Sequence, residues 1–259
     1  MILAWLTLFD GILAVALAVT GILCAHFGVL PPFNLHLSTA LFGLYLVLFG
    51  FFLGILGCIV GTIVLLTTLF MPSWRAGRGR AIAGIIVGLL VVVPILRIAW
   101  STRQYPPIND ITTDTQNPPA FVYAETLPPN RGRDMSYKAE TASAQLRAPI
   151  YQNLKPLELP GSLDDVYKRA EIIAGEFPGW QITYRDPVHH TIEGVATSTL
   201  FQFKDDFVIQ VRPAPESGKS LVEMRSKSRD GKGDLGANYN RIESFFRALQ
   251  GPPRGVVTQ

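Results

Sequence analysis

Apolar residues crowd into three long runs near the start of the chain, then thin into spaced positions on a polar background. The first run covers residues 3–30 and ends at Pro31-Pro32. The second covers 38–70 and ends at Met71-Pro72, and the third covers 81–100. A helix that crosses bilayer hydrocarbon needs about 20 apolar residues, so the pattern predicts three membrane-spanning helices. The second run exceeds that length and predicts tilt or projection beyond the bilayer. Trp5, Trp74 and Trp100 stand at run ends, where amphipathic rings favour the interface.

Beyond residue 100 the pattern changes. Residues 101–161 are rich in Pro, Asn and Thr with weak periodicity, and read as an extended strap or linker. A short strand is predicted within it at 121–123 and a short helix at 139–147. From residue 162 the periodicity sharpens. Ser162 is a helix cap with Asp164 and Asp165 in the first turn. Leu163, Val166, Ala170, Ile173 and Phe177 then follow at helical spacing until Pro178-Gly179. Four strands are predicted at 180–185, 191–200, 206–212 and 221–229. In the third, Phe207, Ile209 and Val211 form the buried face. A last helix at 235–249 carries the stripe Leu235, Tyr239, Ile242, Phe245, Phe246 and Leu249, with Asp234 as its cap.

The expected architecture is a membrane α-helical bundle of three transmembrane helices followed by an α+β domain. That domain is a mostly antiparallel sheet of about four to five strands with helices packed on one face. The expected boundaries are 1–100 for the membrane region, 101–161 for the strap, 162–250 for the soluble domain and 251–259 for a flexible tail.

Charge sharpens this division. The first hundred residues hold Asp10, Arg75, Arg78, Arg80 and Arg97 as their only charged side chains, whereas the remainder holds 19 basic and 19 acidic residues. A soluble part that sums to zero has no field to attract nucleic acid, so that partner is excluded. Cys24 and Cys58 both lie in apolar runs, which leaves the soluble part without a disulfide, a thiol nucleophile or a thiolate metal site. The first run lacks a positive leader and is too long for a cleaved signal peptide.

Arg75, Arg78 and Arg80 lie between runs two and three, and the loop between runs one and two has no Lys or Arg. The positive-inside rule then makes the N-terminus cytoplasmic and the soluble domain periplasmic, in a bacterial inner membrane. Arg97 and Arg103, at the far end of run three, weigh against this orientation.

Gly43, Gly50 and Gly57 recur every seven residues, joined by Gly54 and Gly61, with Gly84 and Gly88 in the third run. Small residues let helices approach closely in lipid. The preferred reading is packing within the bundle, and homo-oligomerisation through the same faces is the alternative. Asp10 and His26 lie toward the ends of run one, and no second intramembrane carboxylate builds a proton relay.

The densest chemical signal runs from Met224 to Arg241. On a strand, Arg225, Lys227 and Arg229 share one face, and a glycine-rich turn leads from them to a helix start with Asp234, Asn238 and Arg241. Cations beside helix-terminal N–H groups suit a small anionic ligand or an acidic partner. The alternative is that Glu193, Asp205 or Asp206 pairs with these cations across the sheet while Asp234 only caps the helix.

His189-His190 with Asp186 resembles a fragment of a metal site, yet adjacent residues on extended chain point apart. The chain contains no G-x-S-x-G, H-E-x-x-H or phosphate-loop signature. No catalytic residue, metal ligand or cofactor is assigned.

The run R-S-K-S-R-x-G-x-x-D-L-G-A-N-x-x-R-I at residues 225–242 resembles the signature of the family called domain of unknown function 1499. Other segments agree. Gly179-Trp180, Ile192-Glu193 and residues 203–209 fit it, as does N-D-I-T-T-D at 109–114 followed by Pro118-Pro119. Tyr151 and Pro156-Leu157 fit a Y-P-x-x-x-P-L pattern, with Gln152 where proline is usual. The resemblance covers about 105–249, is to the bacterial branch in which a short helical membrane region precedes the domain, and implies no activity.

The function expected is a membrane-anchored, non-catalytic periplasmic binding or scaffolding protein. Its partners would be the lipid bilayer and a protein or small anionic ligand. The alternatives are an assembly factor for a membrane complex, or an envelope enzyme that uses the 225–238 region.

Overall fold

The computed structural model describes residues 2–29 and 38–251. Pro31-Pro32 and the tail beyond Gly251 lie outside the described residues. The chain divides into two compact units, Met1–Thr102 with Thr199–Gln202, and Arg103–Ser198 with Phe203–Gln259.

The N-terminal unit is built from α1 (Ile2–Phe27), α2 (Thr39–Phe70) and α3 (Arg78–Thr102), with a 3-10 turn at Pro72–Gly77 before α3. All three helices are long and apolar enough to cross a membrane. Ser38 caps α2 by accepting a hydrogen bond from Leu41 N at 3.2 Å. α3 continues past Pro94 without a break. The third helix starts three residues earlier than its apolar run, because Pro72 and the following turn feed directly into helical backbone.

Glycine sets the spacing of the bundle. A side-chain carbon added at Gly84 would stand 2.5 Å from Thr7 O, and one at Gly50 would stand 2.6 Å from Ala14 O. Gly54 and Gly88 face each other across α2 and α3, and a side-chain carbon added at either would stand about 3 Å from the other's carbonyl oxygen. Gly61 lies against Ile85 and Thr7, Gly57 against Asp10, and Gly43 against the Gly21 carbonyl. All seven glycines of the sequence pattern therefore lie against helices of their own chain. Lipid offers no hydrophobic drive for association, so this close backbone contact carries the packing.

The C-terminal unit contains β1 (Asp110–Thr112), α4 (Ala139–Arg147), β2 (Leu157–Pro160), α5 (Leu163–Glu176), β3 (Trp180–Asp186), β4 (Thr191–Thr197), β5 (Lys204–Pro213), β6 (Lys219–Ser228) and α6 (Ala237–Gln250). The sheet is antiparallel with order β1-β6-β5-β4-β3, and β2 also pairs with β6. Six strands form it instead of four or five, because the Pro-rich segment contributes β1 and β2, laid end to end along one edge of β6.

α5 and α6 cover one face. Val166, Tyr167, Ala170 and Ala174 from α5, and Ile242, Phe245 and Leu249 from α6, pack on Ile192, Phe207, Ile209, Val222 and Met224. Trp180 joins this core with its ring 4.3 Å from that of Phe207 and 5.4 Å from that of Phe245. Gly194 makes room for the Phe207 ring, which occupies the space a side chain there would take. Ser162 caps α5 as the sequence implied, accepting from Asp165 N at 3.2 Å.

The strap covers the opposite face, where Phe121, Ala124 and Met135 pack on Val208. The strand predicted at 121–123 does not form. The N–H groups of Val122 and Tyr123 go to the Glu193 carboxylate at 2.7 and 3.0 Å instead of to a strand partner.

Gly84→Leu is expected to force α1 and α3 apart at a cost of about 1–3 kcal/mol or more. Gly79, with open space around it, should accept Leu without change. The thermal midpoint of the intact protein in detergent distinguishes the two.

Candidate functional site

Alternation along β6 turns Met224, Ser226 and Ser228 toward the helices and Glu223, Arg225 and Lys227 toward the strap. Arg225, Lys227 and Arg229 do share one face, but that face is covered. Arg225 is only 2% exposed and Lys227 9%.

Arg225 donates from Nε to Asp110 Oδ1 and from Nη2 to Asp110 Oδ2, both at 2.8 Å. Nη2 also donates to Met135 O at 2.8 Å. The guanidinium lies 4.8 Å from the Phe121 ring centre and 5.3 Å from that of Tyr137. Lys227 Nζ donates to the same Asp110 carboxylate at 2.7 Å. The two cations thus converge on one buried anion, which β1 places beside them through the register Asp110↔Lys227 and Thr112↔Arg225. Burial pushes the Tyr137 hydroxyl well above the usual phenol range, and the nearby Asp110 charge adds to this.

A second cluster surrounds Asp206. Arg229 Nη2 donates to its Oδ1 at 2.6 Å, Arg133 Nη1 to its Oδ2 at 3.3 Å and Asn130 Nδ2 to its Oδ2 at 3.1 Å. Asn130 also bonds Ala124 O at 2.7 Å, and Arg133 Nη2 reaches Ser228 O at 2.8 Å. The third element is Glu193, fully buried on β4, which accepts from the N–H groups of Val122, Tyr123 and Ala124. Burial raises the Glu193 carboxyl above its ordinary value of 4.5, and the three N–H donors pull against that rise.

On the helix face Asp205 pairs with Arg241, which also bonds Ser226 Oγ at 2.8 Å. Asn238, fully buried at the start of α6, accepts from Ser226 Oγ at 2.8 Å and donates to Asn109 O and Ser228 Oγ, both at 3.0 Å. Asp234 accepts from Gly236 N at 2.9 Å and Asn238 N at 2.8 Å. It caps the helix from two residues before the cap position, which Gly236 holds at φ 87°. A side chain at Gly236 would collide with the Tyr105 ring. Burial raises the Asp234 carboxyl, against the pull of those two N–H groups.

Each of Arg225, Lys227, Arg229, Asp234, Asn238 and Arg241 therefore has a partner within its own chain. Of the carboxylates considered from sequence, Asp206 meets Arg229 and Asp205 meets Arg241. The anion for Arg225 and Lys227 is Asp110, and Glu193 serves the strap backbone. Asp110, Asn130 and Arg133 were not singled out by their local pattern, because their partners on β5 and β6 lie 73 to 117 positions away in the chain. The signal that could have found Asp110 was the N-D-I-T-T-D segment at 109–114.

His189 and His190 lie in the turn between β3 and β4, with His190 at φ 50°, and reach different carboxylates. His189 Nδ1 lies 2.7 Å from Asp186 and His190 Nε2 lies 2.8 Å from Asp164. The His189 backbone N–H and then its ring hold the Asp186 carboxyl down to about 2. Among the described residues no group of three or more His, Cys, Asp or Glu is placed to hold a metal ion.

These features define a class: three apolar helices joined to an α+β unit whose sheet buries charge beneath a strap. The chain belongs to the family described as protein of unknown function (DUF1499), which matches residues 110–249. The match opens on Asp110, the carboxylate that neutralises Arg225 and Lys227, and closes within α6. A comparison with curated proteins finds no match.

Asp110→Ala strands two buried cations and is expected to cost about 3–5 kcal/mol. Adding Arg225→Met should recover much of the loss, because it removes a charge that lacks a partner. Urea-dependent proteolysis of the C-terminal unit within the full chain measures both effects.

A raised native pKa means that the folded state holds the proton to higher pH than the unfolded chain. The stability contributed by Glu193 is then greatest at low pH and declines as pH rises above 4.5 toward its raised native value. In the same assay, the stability of the unsubstituted protein relative to Glu193→Gln should fall across that window. A flat difference refutes the assignment.

Proposed function

We propose that this chain is a membrane-anchored binding or scaffolding protein, with its N-terminus in the cytoplasm and its C-terminal unit in the periplasm of a bacterial inner membrane. The orientation rests on Arg75, Arg78 and Arg80 between the second and third helices. The binding reading rests on one observation. The polar residues of the family signature are engaged in holding the strap and α6 to the sheet, which makes the unit a rigid platform.

The platform carries an apolar surface suited to a protein partner. Val122 is 60% exposed and Val188 78%. The rings of Tyr123 and Tyr184, near these valines in the chain, stack with centres 5.5 Å apart and 10° between planes. Tyr184 Oη donates to Asp186 at 3.2 Å, and Asp186 accepts from Val188 N at 3.0 Å. A tyrosine stack matches the aromatic enrichment of protein interfaces, and the exposed valines add apolar area.

A second reading, an assembly factor that grips another membrane subunit, draws on the groove between α2 and α3 lined by Ile55, Cys58, Ile59, Thr62, Ile63, Leu89 and Val92.

Affinity purification of the intact protein from mild detergent, followed by mass spectrometry, tests the proposal. Tyr123→Asp with Val188→Asp should abolish capture of a partner while urea-dependent proteolysis stays unchanged. Retention of the same partner by this variant overturns the surface assignment. A reporter fused at Gln259 that is active only in the cytoplasm overturns the orientation.

A further inference from the structure

The N-terminal unit has an unbalanced charge. Asp10 is the only acidic residue in the first 102 positions, while Arg75, Arg78 and Arg80 gather where α2 gives way to α3. No acidic side chain among the described residues forms an ion pair with any of the three.

Two of these arginines are held in place by neutral groups. Arg78 Nε donates to Thr68 Oγ1 at 2.7 Å, and Thr68, fully buried, donates in turn to Leu65 O at 2.7 Å. This bond fixes Arg78 through one nitrogen and leaves the terminal Nη pair for a ligand. The Arg80 guanidinium lies 4.2 Å over the Trp5 ring. Ala4, Val64 and Ala81 pack together at the same end of the bundle, with Trp74 against them. Two tryptophans therefore mark this end as the level where hydrocarbon meets headgroups. Cations at that level with no acidic partner among the described residues are stabilised by an anion from outside.

We infer that Arg78 and Arg80, with Arg75 beside them, bind the phosphate group of an anionic phospholipid at the α2–α3 junction. A planar guanidinium fork matches two phosphate oxygens, and a guanidinium already bonded to Thr68 or stacked on Trp5 loses little freedom on binding. The source of the phosphate is a lipid because the flanking helix surface is apolar and open: Leu69, Phe70 and Ile82 are all exposed and offer a path for acyl chains. The site does not depend on which side of the membrane this end faces, and its failure would leave the proposed partner surface untouched.

The test uses the full chain in a neutral detergent and native mass spectrometry. The ligands are short-chain phosphatidylglycerol, short-chain phosphatidylcholine and inorganic phosphate. The anionic lipid should bind more tightly than the zwitterionic one, and inorganic phosphate should not displace it. Arg78→Gln and Arg80→Gln should each weaken phosphatidylglycerol binding about fivefold, the effect of one basic residue near an anionic surface. Arg97→Gln, near the other end of α3, should leave it unchanged. If Arg78→Gln lowers the thermal midpoint, Arg80→Gln and Arg78→Lys carry the test, the latter keeping charge but losing the fork. Equal affinity for the two lipids, an equal loss in Arg97→Gln, or displacement by inorganic phosphate would each overturn the inference.

Discussion

A single buried carboxylate, Asp110, underlies the C-terminal unit. Arg225 and Lys227 stand side by side on the strap face of β6, and both are withdrawn from water. Like charges so placed repel each other, and each loses its hydration. Asp110 offsets both by accepting from Arg225 on two oxygens and from Lys227 on one of them. It does so only if β1 lies antiparallel to β6 in one register, because a slip of one residue would turn the carboxylate to the helix face. The ion pairs thus act as a register lock. Their net contribution to stability is small beside the cost of breaking them.

The strap follows from that lock. Once β1 is docked, the segment after it crosses the sheet, where its backbone N–H groups need acceptors. Glu193 supplies one for three consecutive residues, and Asn130 with Arg133 ties the return path to Asp206. The Gln145 side chain then pairs with both the N–H and the C=O of Thr112, and so covers the outer edge of β1 as a further strand would. Charge burial and backbone satisfaction here are one arrangement: removing the anions would release the segment that covers them.

The N-terminal unit works by the opposite rule. Its helices meet through missing side chains, with Gly50, Gly84 and Gly88 opening space for neighbouring backbone. One unit is held by polar groups that must find partners, the other by apolar surfaces that must approach closely. That division follows from the environments their compositions suit.

The local features were legible in the sequence. Three apolar runs, the Ser162 cap, the alternation of Phe207, Ile209 and Val211 and the stripe of α6 each depend on residues a few positions apart, where 3.6- and 2-residue periods apply. The shared face of Arg225, Lys227 and Arg229 was legible for the same reason. Asp206 as a partner for Arg229 was among the carboxylates the sequence offered, but the partner of Arg225 and Lys227 was not. Asp110 meets Arg225 across 115 positions and Asn109 meets Asn238 across 129, and no local period encodes such contacts. The Pro-rich segment looked structureless because its order comes from side chains of distant strands. Sequence alone determined the three membrane helices, α4 to α6 and β3 to β6, and which way their residues face. Only the tertiary structure decided what each charge touches, because a buried ion pair is chosen by register and chain crossing rather than by spacing.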